Sequence, residues 1–217
     1  MSARIEHLET SGTFSLDGGT WDVDNNVWIV GDDEEVIVID PAHNAEAVEA
    51  AVDGRKVQAI LLTHGHDDHI RQVMEVQRRI GGPIHLNAQD RMLWDDVYGQ
   101  DEPDAEISAG DVFTVAGTKL TAIHTPGHSP GSTCFFAEEI DRGEAGVGPA
   151  LFSGDTLFSG GPGATGRSYS SFETIIESIR EELFQLPEET VVNTGHGPST
   201  VIGDEKPHLQ EWIERGS

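Results

Sequence analysis

Apolar and polar positions along the chain follow two periods. Short, nearly continuous apolar runs recur at "NNVWIVG" (25–31), "EVIVID" (35–40), "VQAILLTH" (57–64), "PIHLN" (83–87), "ALFSGD" (150–155) and "TVVNTG" (190–195); such runs predict strands covered on both faces. Between them, "AEAVEAAVDG" (45–54), "DHIRQVMEVQRRIGG" (68–82), "FETIIESIREELFQLP" (172–187) and "IGDEKPHLQEWIERG" (202–216) have the composition or the spacing of helices. "DVFTVAG" and "TKLTAIHT" read as a hairpin that "STCFFAEE" continues, "GDDE" as the turn between the first two strands, and "EIDRGEAGVGP" as a polar connection. The acidic stretch 88–104 reads as a short helix and loop whose Trp94 and Tyr98 suit either a substrate mouth or the core. Strands alternating with helices, with hairpins in the middle, predict an α/β fold with mixed sheets. No repeat and no Pro- or Ser-rich linker divides the chain, so residues 1–217 are expected to form one domain.

Charge narrows the partners. Lys and Arg number 13 against 39 Asp and Glu, a net charge of −26, and such a field repels nucleic-acid backbones and anionic membrane surfaces. The single cysteine, Cys134, has no partner for an intramolecular disulfide and reads as a small buried hydrophobe. The opening "MSARIEHLETSG" lacks the apolar core of a secretory signal, and no run reaches the roughly 18 apolar residues of a membrane span. The expectation is a cytoplasmic protein with a small-molecule substrate.

The chemistry concentrates in "THGHDDH" (63–69), where His64, His66, Asp67, Asp68 and His69 follow a strand directly. So many N and O donors in one turn need partners if buried. In open α/β sheets, sites form beyond the carboxyl ends of strands. His64, His128, Asp155 and His196 each follow a different apolar run at its exit. Together with His66, Asp68 and His69 they make seven candidate ligands, too many for one tetrahedral zinc and suited to two divalent ions about 4 Å apart sharing a carboxylate. Zinc comes first, with iron or manganese also compatible with mixed N and O donors. Asp40 and His43 read as turn or supporting groups rather than ligands, and His124 as structural.

At these residues the sequence resembles the metallo-β-lactamase superfamily: "THGHDDH" matches its His-x-His-x-Asp-His signature, and His128, Asp155 and His196 match its remaining ligands in order. "TPGHSPGST", "FSGDTLF" and "NTGHGPSTVIGDE" look closest to glyoxalase II-like hydrolases. The resemblance implies a four-layer αββα sandwich with the site at one edge of two sheets. It further implies that His64, His66 and His128 hold one metal, that Asp68, His69 and His196 hold the other, and that Asp155 bridges them. Two departures stand out. The chain ends about one helix after His196, so the extra helical region that helps bind glutathione in the long form is expected to be absent. Where relatives carry "GRTDF", this chain reads "GRSYSS", which puts Tyr169 at the acidic position and makes Arg167 and Tyr169 the candidate substrate-binding residues.

Two divalent ions lower the pKa of a shared water and polarise a carbonyl, so no side-chain nucleophile is needed; Asp68 is the candidate catalytic group that orients this water. A thiolate is a good leaving group, its conjugate acid having a pKa of about 8.5. The leading expectation is therefore hydrolysis of a small thioester of a low-molecular-weight thiol. Lactone opening is the alternative within hydrolases; β-lactamases of the family as a rule lack the bridging Asp. A mononuclear iron persulfide dioxygenase is the alternative outside them.

Overall fold

The computed structural model describes residues 3–216. Its first sheet has the order β1 (Arg4–Leu16), β2 (Gly19–Gly31), β3 (Glu35–Ile39), β4 (Lys56–Leu61), β5 (Ile84–Leu86) and β6 (Ala105–Glu106). β1 to β3 are antiparallel, and β3 to β6 run parallel. Helices α1 (Ala45–Val52), α2 (Asp67–Ile70), α3 (Val73–Ile80) and α4 (Arg91–Tyr98) supply the crossovers. The second sheet is built on the meander β7 (Val112–Val115), β8 (Thr118–His124), β9 (Thr133–Asp141) and β10 (Val147–Gly154). A two-residue ladder, β11 (Leu157–Phe158) with β12 (Gly161–Pro162), follows. Helix α5 (Phe172–Glu181) then leads to β13 (Val191–Thr194), parallel to β10, and to the edge strand β14 (Thr200–Val201). α6 (Ile202–Glu205) and α7 (Leu209–Arg215) close the chain. The two sheets touch at one pairing, Arg4 with Asp141.

Alternation along the strands builds four layers. In β2 and β3, Val30, Ile37 and Ile39 face Leu120, Phe135 and Phe152 of the other sheet. The intervening Ile29, Val36 and Val38 pack under Val48 of α1, Val73 and Val76 of α3 and Trp94 of α4. On the far side, Cys134, Leu151 and Val192 meet Ile175 and Ile179 of α5 and Trp212 of α7. The result is the αββα sandwich, and it places Trp94 in the core rather than at a substrate mouth. Tyr98 is half-buried beside it and donates its hydroxyl to the Ile70 carbonyl at 2.6 Å. No described helix is long and apolar enough to cross a membrane.

Four segments differ from the sequence expectation. The helix read over 68–82 is broken at Gln72 (φ −112°, ψ 7°), whose Oε1 accepts from the Ala45 amide at 2.9 Å; the separate first turn is free to turn Asp68 and His69 inward. The "EIDRGEAGVGP" connection is instead the tight end of a hairpin, with Asp141 paired to Val147. The closing helix is interrupted at Pro207, which has no amide hydrogen to continue it. The β1–β2 hairpin, 13 paired residues on each arm around Asp17–Gly18, has no counterpart among the expected elements before residue 25.

Cys134 is fully buried, and burial pushes its thiol up to about 11. At pH 8 the native protein is expected to leave this thiol unmodified by a maleimide and to react fully once unfolded. Rapid labelling of native protein would contradict that burial.

Candidate metal centre

Every strand exit singled out in the sequence opens on one place. His64 lies three residues past β4, His128 four past β8, Asp155 directly after β10 and His196 two past β13, while Asp68 and His69 lie in α2. Among the described residues, donor atoms within 4.8 Å of one another come from His64, His66 and His128, from Asp68, His69 and His196, and from Asp40, His64 and His69. Asp155 joins the first two sets: its Oδ2 is 3.5 Å from His128 Nε2 and 3.4 Å from His196 Nε2, and its Oδ1 is 3.4 Å from His69 Nε2. These groups are able to bind a metal.

The chain fixes which ring nitrogens face inward. His128 Nδ1 donates to the Ala164 carbonyl at 2.9 Å and His196 Nδ1 to the Asp24 carbonyl at 2.7 Å, so both present Nε2. Thr63 Oγ1 donates to Asp40 Oδ2 at 2.6 Å and therefore accepts from His64 Nδ1 at 3.0 Å. His69 Nδ1 donates to the same Asp40 oxygen at 3.0 Å. Asp40 also accepts the Thr63 amide, at 2.8 Å through Oδ1. Its oxygens are thus occupied by donors, and the third set is an orienting pair rather than a ligand site. His43 is buried against Gly12 and belongs to none of the three sets.

His64 Nε2 is the test of fit. It is buried and without a hydrogen-bond partner among the described residues, as is His66 Nε2, while His66 Nδ1 lies at hydrogen-bond distance, 2.9 Å, from His128 Nε2. Unpartnered buried nitrogens are costly, and a cation beside them would satisfy their lone pairs.

Electrostatics divide the cluster in two. Burial, reinforced by repulsion from neighbouring imidazoles, holds His64 well below its ordinary range and His66 down at about 3, which favours the neutral imidazole in both. In the other half burial is overcome by charge pairing. Asp68 is brought down to about 2, chiefly by His69, and Asp155 well below the usual carboxylate range, chiefly by His196. His69 is raised well above 6.5, chiefly by Asp68, and His196 to about 10, chiefly by Asp155.

A cavity of ≈ 220 Å³ opens over the cluster on the side of Asp155 and His196. Its lining includes Arg167, as the sequence suggested, whereas Tyr169 points outward, 52% exposed and off the lining. Sequence reading missed Phe14, Trp21 and Val23 of the β1–β2 hairpin, which also line the cavity. That hairpin is fastened beside the site: Asp17 accepts from the Ser168 amide (3.0 Å) and hydroxyl (2.6 Å), and Asp67 accepts from the Ser15 amide at 2.9 Å. The Arg167 guanidinium lies 3.9 Å over the Trp21 ring. Asn25 and Asn26 were also missed as supports. Asn25 Nδ2 donates to Asp68 Oδ2 at 3.1 Å, and Asn26 Nδ2 holds the His196 loop through the Thr194 (3.0 Å) and Gly197 (2.9 Å) carbonyls.

Comparison with known proteins agrees with this geometry. A profile described as the metallo-beta-lactamase superfamily matches residues 20–196. The hydroxyacylglutathione hydrolase GloC of Haemophilus influenzae is 31% identical over 197 residues, covering 83% of this chain and 89% of its own. Among solved structures, the B3 metallo-beta-lactamase BLEG-1 superposes with a TM-score of 0.74 at 29% identity, over 92% of this chain and 98% of that one. A protein crystallised in a di-iron-bound form gives 0.70 at 28%, over 91% and 96%.

Proposed function

Because the chain belongs to the metallo-β-lactamase superfamily, we propose that it is a binuclear metallo-hydrolase that cleaves a small thioester of a low-molecular-weight thiol. The observation that carries the reading is the convergence of two donor triads on one shared carboxylate, Asp155, beneath an open cavity of ≈ 220 Å³. His64, His66 and His128 would hold one divalent ion and Asp68, His69 and His196 the other, with Asp155 between them and zinc as the first choice. The di-iron form of a relative and the hydroxyacylglutathione hydrolase relative support this pairing of site and substrate. So does the intact second triad, which a single-iron dioxygenase would not need.

Bound ions would acidify a water molecule and polarise the substrate carbonyl. The remaining work falls to the chain. Asp68, ionised and anchored by Asn25, is a fixed acceptor that orients a water hydrogen. Phe14, Trp21 and Val23 give the cavity an apolar wall, beside which electrostatic interactions are less screened than in open water. Among the described residues lining the cavity, every titratable group except Arg167 belongs to the triads or to Asp155. The site thus sets no separate acid beside the leaving group, which suits a thiolate better than an amide nitrogen.

A hydrolysis panel of acyl-glutathione and other small thioesters, homoserine lactones and a chromogenic β-lactam tests the reading on metal-replete protein. Thiol release is expected to dominate; lactone opening without thiol release would overturn it in favour of a lactonase. Within the same panel, Arg167→Ala is expected to raise KM by about tenfold, the scale of one lost charge-assisted contact, with metal content unchanged. Tyr169→Phe is expected to leave both unchanged. Loss of metal from the Arg167 variant would contradict its place on the substrate wall.

A further inference from the structure

A carboxylate outside both triads fastens one of them. Asp90 ends the short 3-10 turn Ala88–Asp90 ahead of α4 and is fully buried. Its Oδ2 accepts from the Gly65 amide at 2.8 Å and the Ser129 hydroxyl at 2.6 Å, and its Oδ1 accepts from the Gly131 amide at 2.5 Å. Gly65 lies between His64 and His66, and Ser129 directly follows His128. One side chain therefore spans the two loops that deliver the three-histidine triad, loops separated by 62 positions between His66 and His128.

The backbones of both loops press on it. A Cβ at position 131 would stand 2.7 Å from Asp90 Cγ, and one at position 65 would stand 3.0 Å from both the Asp90 carbonyl oxygen and Leu93 Cβ. Each glycine is therefore a requirement of close approach rather than of turn geometry. Burial works against ionised Asp90, and its three donors work to keep it charged. An apolar residue there would leave the Gly65 and Gly131 amides and the Ser129 hydroxyl without their acceptor, so the carboxylate joins the two loops rather than merely filling space. The other triad has different fastenings: Asn25 on Asp68, Asp40 on His69, and Asn26 on the loop of His196.

We infer that Asp90 is a positioning residue for the three-histidine half of the centre, setting the separation of His66 and His128 and hence the affinity of that half for its ion, while leaving the Asp68–His69–His196 half alone. The inference rests on the two-ion reading above. Asn at this position keeps the shape but turns an N–H₂ toward one of three donors, breaking at least one bond.

The test is a zinc titration of cation-free protein, followed by calorimetry and by the ¹⁵N shifts of the histidine rings. Wild type is expected to take up two equivalents. Asp90→Asn is expected to retain one at wild-type affinity, with zinc-bound shifts at His69 and His196, and to bind the other about 10–100-fold more weakly, with His66 and His128 shifting only at that second event. Ser129→Ala, which removes a single bond, should move the same event in the same direction by less, and it carries the test if Asp90→Asn does not fold. Asp40→Asn serves as the contrast: Asp40 reaches His69 directly and His64 through Thr63, so both events should weaken. Equal weakening of both events in the Asp90 and Ser129 variants, or of neither, overturns the role of Asp90. Fewer than two equivalents in wild type overturns the two-ion reading, and this inference with it.

Discussion

Asp155→Asn is expected to lower kcat for thioester hydrolysis by on the order of 10²–10³, about 2.7–4 kcal/mol of barrier. The substitution keeps the side chain's shape and removes its charge. In the native cluster one Asp155 oxygen approaches both His128 and His196, and the other approaches His69. Among the described residues it is the carboxylate within 3.5 Å of His128 in one triad and of His69 and His196 in the other, so on the two-ion reading its charge would hold both cations close together, and it balances His69 and His196. The variant should therefore bind less than two equivalents of metal while melting as a cooperative folded protein. Activity within tenfold of wild type, at full metal content, would show that the two halves do not work through a shared carboxylate.

Chelation is expected to give the largest change in stability. Each site occupied at a hundredfold excess over its Kd adds about 2.7 kcal/mol, so two sites add about 5 kcal/mol. For a chain of this size that corresponds to a fall in Tm of about 10–20 °C, reversed by added zinc. The fall should depend on pH. In cation-free protein His196 is raised to about 10 by Asp155 despite its burial, above the unfolded value of about 6.5. This pairing stabilises the fold fully below pH 6.5 and fades as pH climbs through about 10. Metal affinity moves the opposite way, since protons and ions compete for the same nitrogens. Chelation should therefore lower Tm less at pH 6 than at pH 8.5. A Tm unmoved by chelator at both pH values would mean that the cluster holds no structural ion.

What could be read from the sequence was whatever repeats a simple period or a fixed spacing. β2 to β4 and β10 are apolar on both faces because helices cover one side and the facing sheet the other, so their runs were legible. The donors at their exits were legible because strand ends in such sheets open on one edge. The β1–β2 hairpin was not legible before residue 25. Its "RIEHLETSGTFSL" arm lies partly exposed with few apolar positions, and only the Asp17–Gly18 pair, both at positive φ, marks the turn. The wall of the cavity was lost with it. Asp90 left no trace for a different reason: in an acidic stretch, a carboxylate that will be buried and triply bonded looks like its solvated neighbours Asp95, Asp96 and Glu102. Asp40 was half-visible: its place at a strand exit reads from the sequence as that of a turn or supporting group, but its direct bond to His69 and its link to His64 through Thr63 are contacts that sequence spacing does not connect to it. The fracture of the 68–82 helix at Gln72 arises from a long-range bond to Ala45, and helical periodicity carries no record of such a bond.

The most direct test of the centre is a crystal structure of metal-replete protein with anomalous data collected at the zinc edge. Two peaks per chain are expected, one coordinated by His64, His66 and His128, the other by Asp68, His69 and His196, with Asp155 touching both. A single peak, or a pair in which Asp155 reaches neither ion, would contradict the account.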